Sequence, residues 1–171
     1  MARVRLVKEG ERAENDALIA TIKAERGGRF LDLYAVLMNS PPIAEGWLKL
    51  FTAIRQKSKL NGGMRELAIL RVALLNGAAY EYRAHVPFAL KEGVPQEKID
   101  ALEGWRDAKL YSKEERAVLA YTDAMTRGIE VPDDVFSAVR AAFDERETVE
   151  LTATIAGYNL VSRFLVAMEL H

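Results

Sequence analysis

Residues 64–94 read MRELAILRVALLNGAAYEYRAHVPFALKEGV, and this stretch decides the fold. Leu67, Ala68, Leu70, Val72, Ala73 and Leu75 make its first half a helix that is apolar on more than one face. Such a helix is buried in a bundle or in a subunit interface. Asn76-Gly77 ends it. A second helix is predicted over residues 78–92, closed by Gly93. Pro87 inside it removes the hydrogen bond to the Arg83 carbonyl, so a local kink is expected there.

Helical signals continue outward in both directions. Upstream, residues 12–26 carry Leu18, Ile19 and Ile22 on one face and stop at Gly27-Gly28. A short helix follows over residues 30–38. Asn39 or Ser40 then caps a helix with Pro41 and Pro42 in its first turn, where a missing amide costs little. That helix shows Trp47, Leu50, Phe51 and Ile54 at helical spacing, and Asn61-Gly62-Gly63 breaks the chain after it. Downstream, Pro95 opens a short helix to about residue 104. Ser112-Lys113-Glu114-Glu115 fits a capping box opening a helix to about residue 127. Pro132-Asp133-Asp134 starts another to about residue 143, and the last spans about residues 147–170, with Gly157 allowing close packing or a kink. Val4 to Val7 is the single strand candidate. The expected fold is all-α, with about eight or nine helices in one globular unit. An N-terminal arm and helix occupy 1–29 and a helical domain occupies 30–171.

With 171 residues, half of them apolar, 29% charged and a net charge of −1, the chain has the composition of one soluble domain. Neither the net charge nor any basic block points to nucleic acid. No apolar run approaches the roughly 20 residues that span a bilayer. The N-terminus MARVRLVKEG lacks the apolar core of a secretory signal, so the expected location is cytoplasmic. The absence of cysteine excludes disulfide scaffolds, thiolate metal sites and cysteine nucleophiles.

His85 is one of only two histidines; the other, His171, is the last residue. It closes the run Tyr80-Glu81-Tyr82-Arg83-Ala84-His85. Glu81 and Tyr82 lie one helical turn before it. An imidazole, with its ordinary pKa of about 6.5, suits proton transfer, and a neighbouring carboxylate supports its charged form. Glu81 and His85 alone supply two ligands, so no metal is expected. Arg65 beside Glu66 reads as a surface ion pair of little energetic weight.

Residues 64–94 resemble the core of the carboxymuconolactone decarboxylase family, which includes the alkylhydroperoxidase D-like proteins. The resemblance extends through Asn39-Ser40-Pro41 before the Trp47 helix and through Gly157-Tyr158-Asn159 with Arg163 near the end. In the peroxidase branch a glutamate, a CxxC pair and a histidine follow the spacing E-x11-C-x2-C-x3-H. Laid on this chain, the glutamate falls on Glu66 and the histidine on His85, while the cysteine positions fall on Ala78 and Glu81. Thiol-dependent peroxide reduction is therefore not carried over. The decarboxylase branch also lacks the CxxC pair. Its resemblance implies loss of CO2 from a small carboxylated lactone without cofactor, with His85 as general acid and Glu66 or Glu81 orienting it. Tyr80, Tyr82, Arg83 and Arg163 are the expected substrate-binding residues, and Arg71 is a further carboxylate-binding candidate by residue type. The resemblance also implies a homo-oligomer, a trimer or hexamer, and a small anionic substrate. The competing expectation is a non-catalytic oligomeric member that has lost the redox chemistry.

Overall fold

A computed structural model of the chain describes residues 2–170. Among these, nine α-helices form and no strand does: α1 (Asp16–Glu25), α2 (Asp32–Leu37), α3 (Pro41–Gln56), α4 (Gly62–Leu75), α5 (Ala79–Lys91), α6 (Gln96–Asp100), α7 (Lys113–Arg127), α8 (Asp133–Ala142) and α9 (Glu145–Ala167). Contacts divide the chain into two units, residues 1–57 with 167–171, and residues 58–166.

In the first unit, α1 and α2 pack on α3. Of the expected stripes, Ile19 and Ile22 of α1 and Trp47, Phe51 and Ile54 of α3 are buried, whereas Leu50 is exposed at 44% and Leu48 is buried instead. Ser40 is the N-cap of α3 with prolines in the first turn, but its side chain makes no capping bond. The Val4–Val7 segment does not form a strand. Val4 and Leu6 are exposed, only Val7 is buried, and its amide donates to the Ala35 carbonyl at 3.0 Å.

In the second unit, α4 packs against both α5 and α7. Every side chain from Arg65 to Ala73 is buried, so α4 is the central rod that its all-round apolar pattern requires. The Asn61 side chain caps it, accepting from the Met64 amide at 3.2 Å. Both helices of the hairpin end in the same way. Gly77 (φ 63°) and Gly93 (φ 86°) take the left-handed conformation. The amides that follow, of Ala78 and Val94, donate to the Ala73 and Ala89 carbonyls at 2.9 Å. Val94 and Ala89 then join Leu67, Leu70, Ile99, Leu102, Trp105, Tyr111 and Leu119 in one apolar core. α5 runs through Pro87 as a single helix. The Ser112–Glu115 capping box forms as expected and opens α7. α9 begins at Glu145 because Asp144 and Glu147 cap one another: the Glu147 amide donates to Asp144 Oδ1 at 2.8 Å and the Asp144 amide to Glu147 Oε2 at 3.2 Å.

Candidate functional site: a histidine between two carboxylates

α4 and α5 bring Glu66, Glu81 and His85 together inside the second unit. Glu66 reaches His85 because α4 is buried on all sides, so a polar residue near its start cannot turn to solvent. His85 Nδ1 lies 2.7 Å from Glu66 Oε2, and His85 Nε2 lies 3.0 Å from Glu81 Oε1. The second contact is the i, i+4 pair on α5. All three are buried, with relative exposures of 2% for Glu66, 6% for Glu81 and 4% for His85. Both ring nitrogens thus face a carboxylate. A neutral imidazole has one N–H and one lone pair, and the lone pair would oppose a carboxylate. The imidazolium satisfies both sides. Burial alone pushes the His85 pKa down, but the hydrogen bonds to Glu66 and Glu81 outweigh it and hold the pKa above the ordinary histidine value.

Apolar rings close on this cluster. Tyr158 of α9 meets the imidazole edge to face, with centroids 5.0 Å apart, and Phe88 lies at 5.6 Å. Arg65 stands behind Glu66, with Nε 3.4 Å from Glu66 Oε1. It is buried, at 8% exposure, which corrects the reading of a surface pair. The three side chains line up across the ring and do not converge on a point. Among the described residues no group of three or more His, Cys, Asp or Glu is placed to hold a metal ion. Nor is any helix among them long and apolar enough to cross a membrane.

The other expected residues lie elsewhere. The Tyr82 hydroxyl donates to the Ile99 carbonyl at 3.2 Å, its ring packs on the apolar core, and burial raises its pKa. Tyr80 is half-buried and Arg83 is exposed. Arg163 Nη1 donates to Asn159 Oδ1 at 2.7 Å and to the Asn159 carbonyl at 3.2 Å. Arg71, also considered for carboxylates, is committed to Asp123 of α7 through bonds of 2.6 and 3.2 Å. Tyr158 belongs to the flank that resembles the family, and its place on the imidazole has no signal in local spacing. Asn159, beside it, accepts from Asn76 Nδ2 at 3.0 Å and donates to Thr126 Oγ1 at 3.0 Å.

Residues 41–124 match the model of the carboxymuconolactone decarboxylase family. The uncharacterised protein YdfG of Bacillus subtilis is 33% identical over 115 residues, covering 66% of this chain and 78% of that protein. The structure of a protein of unknown function from Agrobacterium tumefaciens, proposed as an antioxidant-defence AhpD, superposes with a TM-score of 0.75 at 30% identity, covering 80% of this chain and 94% of that one. The debrominase Bmp8 in complex with 2,3,4-tribromopyrrole shares the fold, with a TM-score of 0.82 at 19% identity over 99% of this chain and 92% of that one. An all-helical AhpD-like fold, a family match across the α3–α7 region and a relative at one-third identity make this chain a member of the carboxymuconolactone decarboxylase family.

Proposed function

We propose that this protein is a cofactor-free lyase acting on a small carboxylated lactone or related ring compound, with Glu66, His85 and Glu81 as its proton relay. The observation that carries the reading is the imidazole engaged by a carboxylate at each nitrogen, at 2.7 and 3.0 Å, in a buried site. In decarboxylation the C–CO2 bond breaks and its electron pair passes into the conjugated lactone as a dienolate. CO2 leaves, and carbon then needs a proton. His85 holds that proton, and Glu66 keeps the ring charged and oriented. Because both nitrogens are occupied, the proton leaves through Glu81, the carboxylate whose side chain is the more exposed (8% against 3% for Glu66). His85 resupplies Glu81, and solvent restores the proton to His85 through Glu81, the more exposed of its two partners. Arg83, on the same helix and exposed, is assigned to the substrate carboxylate, with the half-buried Tyr80 of α5 as a further contact.

Purified protein is expected to release CO2 from γ-carboxymuconolactone. His85→Gln and Glu81→Gln are each expected to lower kcat by about 10²–10⁴, the usual worth of a general acid. No turnover by the wild type, or full turnover by either variant, overturns the reading.

Burial favours a second reading. Glu66, His85 and Glu81 are nearly fully enclosed within one chain, as a structural ion network would be. In that case the protein is a non-catalytic member of the family.

Either way we propose a homo-oligomer, a trimer or hexamer. Supporting this, α9 leaves Val149, Leu160 and Val166 exposed at 66%, 48% and 52%. A light-scattering mass of three or six chains is expected, and a mass of one chain would sink it.

A further inference from the structure

Arg65 is the charged side chain beside the relay that the chemistry above leaves unused. Its side chain is only 10% exposed and is divided between two carboxylates: Nε is 3.4 Å from Glu66 Oε1 and Nη2 is 3.5 Å from Glu92 Oε1. Both contacts are long for hydrogen bonds, so they act mainly through charge. Glu66 offers its other oxygen to His85, so one buried carboxylate is shared between a permanent cation and a titrating one. Charges therefore alternate along Glu92, Arg65, Glu66, His85 and Glu81.

Glu92, the C-cap residue of α5, lies over the start of α4. A Cβ added to Gly62 would collide with Glu92 Oε2, so the missing side chain is what leaves room for this carboxylate. The positive end of α4 also favours it there. The groups facing His85 are thus Glu66 and, behind it, Arg65 from α4, Glu81 and Phe88 from α5, and Tyr158 from α9.

We propose that Arg65 is a positioning residue of the relay: held between Glu66 and Glu92, it sets how firmly Glu66 retains the proton on His85. This rests on reading the cluster as a proton relay, but on no particular substrate. The closer the guanidinium stands to Glu66, the less negative charge is left for the imidazolium, and the more readily His85 releases its proton. Glu92 draws the guanidinium the other way.

The test is a pH titration of the 15N-histidine spectrum; the chain has two histidines, and His171→Gln assigns them. Arg65→Met is expected to raise the His85 midpoint by about one pH unit, while Arg65→Lys stays within about half a unit of the wild type. Glu92→Gln, and Gly62→Ala through displacement of the Glu92 carboxylate, are expected to lower it by about half a unit. Repeating the series with Glu81→Gln, which removes one carboxylate from the ring, is expected to lower every midpoint while keeping the order of the variants. A merely structural role would loosen the site and draw every variant toward the ordinary value of about 6.5. Opposite signs for Arg65→Met and Glu92→Gln therefore support the proposal. An unchanged or lowered midpoint in folded Arg65→Met overturns it. If Arg65→Met does not fold, unchanged midpoints in both Glu92→Gln and Gly62→Ala overturn it. The readout needs no substrate, so absent turnover overturns the lyase reading alone.

Discussion

Asp123→Ala is expected to destabilise the protein by about 3–5 kcal/mol, read as a fall in the urea midpoint at unchanged slope. Asp123 and Arg71 are buried to 3% and 4% exposure. The pair is bidentate, at 2.6 and 3.2 Å, and ties α4 to α7. Arg71 Nη1 also donates to the Leu102 and Glu103 carbonyls at 2.9 and 3.2 Å, which fixes the segment after α6. Asp123 Oδ2 accepts further from Trp105 Nε1 at 3.3 Å and Arg106 Nη2 at 3.1 Å. Alanine at 123 removes the only anion in this set and leaves a buried guanidinium with two carbonyls. The cost is that of an uncompensated internal charge, much larger than the worth of an exposed pair such as Lys49–Glu45. The double variant Arg71→Met/Asp123→Leu removes both charges and is expected to recover most of the loss. A loss below about 1 kcal/mol for Asp123→Ala would refute this account.

Arg71 and Asp123 lie 52 positions apart, and no local pattern links them, so this buried bidentate tie left no trace in the sequence. What was legible was local. The all-round apolar run of α4, the Asn76-Gly77 and Gly93 stops, and the Ser112–Glu115 box are short-range features, and each forms where expected. Glu81 and His85 were readable as an i, i+4 pair, whereas Glu66 was placed by the family resemblance. Arg65 was misread because sequence adjacency to Glu66 does not say which faces of α4 are covered. On a helix buried on every side, even an arginine is taken inside and must be paired there. α9 starts two residues before the expected 147 because Asp144 forms the first half of a capping pair with Glu147. In the Val4–Val7 segment the alternation was real, but a lone segment without a partner ladder has no reason to become a strand.

His85→Leu is expected to be the other large loss, and its dependence on pH identifies its cause. In the wild type the folded-state pKa of His85 lies above the unfolded value of about 6.5. Its contribution is therefore fully present below about pH 6.5 and is lost as pH rises through the folded value. Leucine removes the cation between two buried carboxylates, leaving Glu66 with Arg65 at 3.4 Å and Glu81 without the imidazolium. One carboxylate is then unpaired in the interior, at a cost of about 3–5 kcal/mol near neutral pH. Its folded-state pKa rises above the unfolded value of about 4.3, so the penalty fades as the pH falls and the carboxyl takes up a proton. As the pH rises through the folded-state value of His85 the wild type loses its own imidazolium, and the difference narrows again. Urea unfolding at pH 5 and at pH 6.5, where the wild-type contribution is still fully present, should thus show the larger gap at 6.5. An equal gap at the two pH values would mean that leucine merely packs badly. The quadruple variant Arg65→Met/Glu66→Leu/His85→Leu/Glu81→Leu removes the imidazolium, both carboxylates and the buried guanidinium behind them, and is expected to regain most of the lost stability. If that variant is stable and without turnover while the wild type is active, the three polar side chains are held inside the protein for chemistry. If the wild type has no turnover, the cluster's role is structural, and the same series measures its worth.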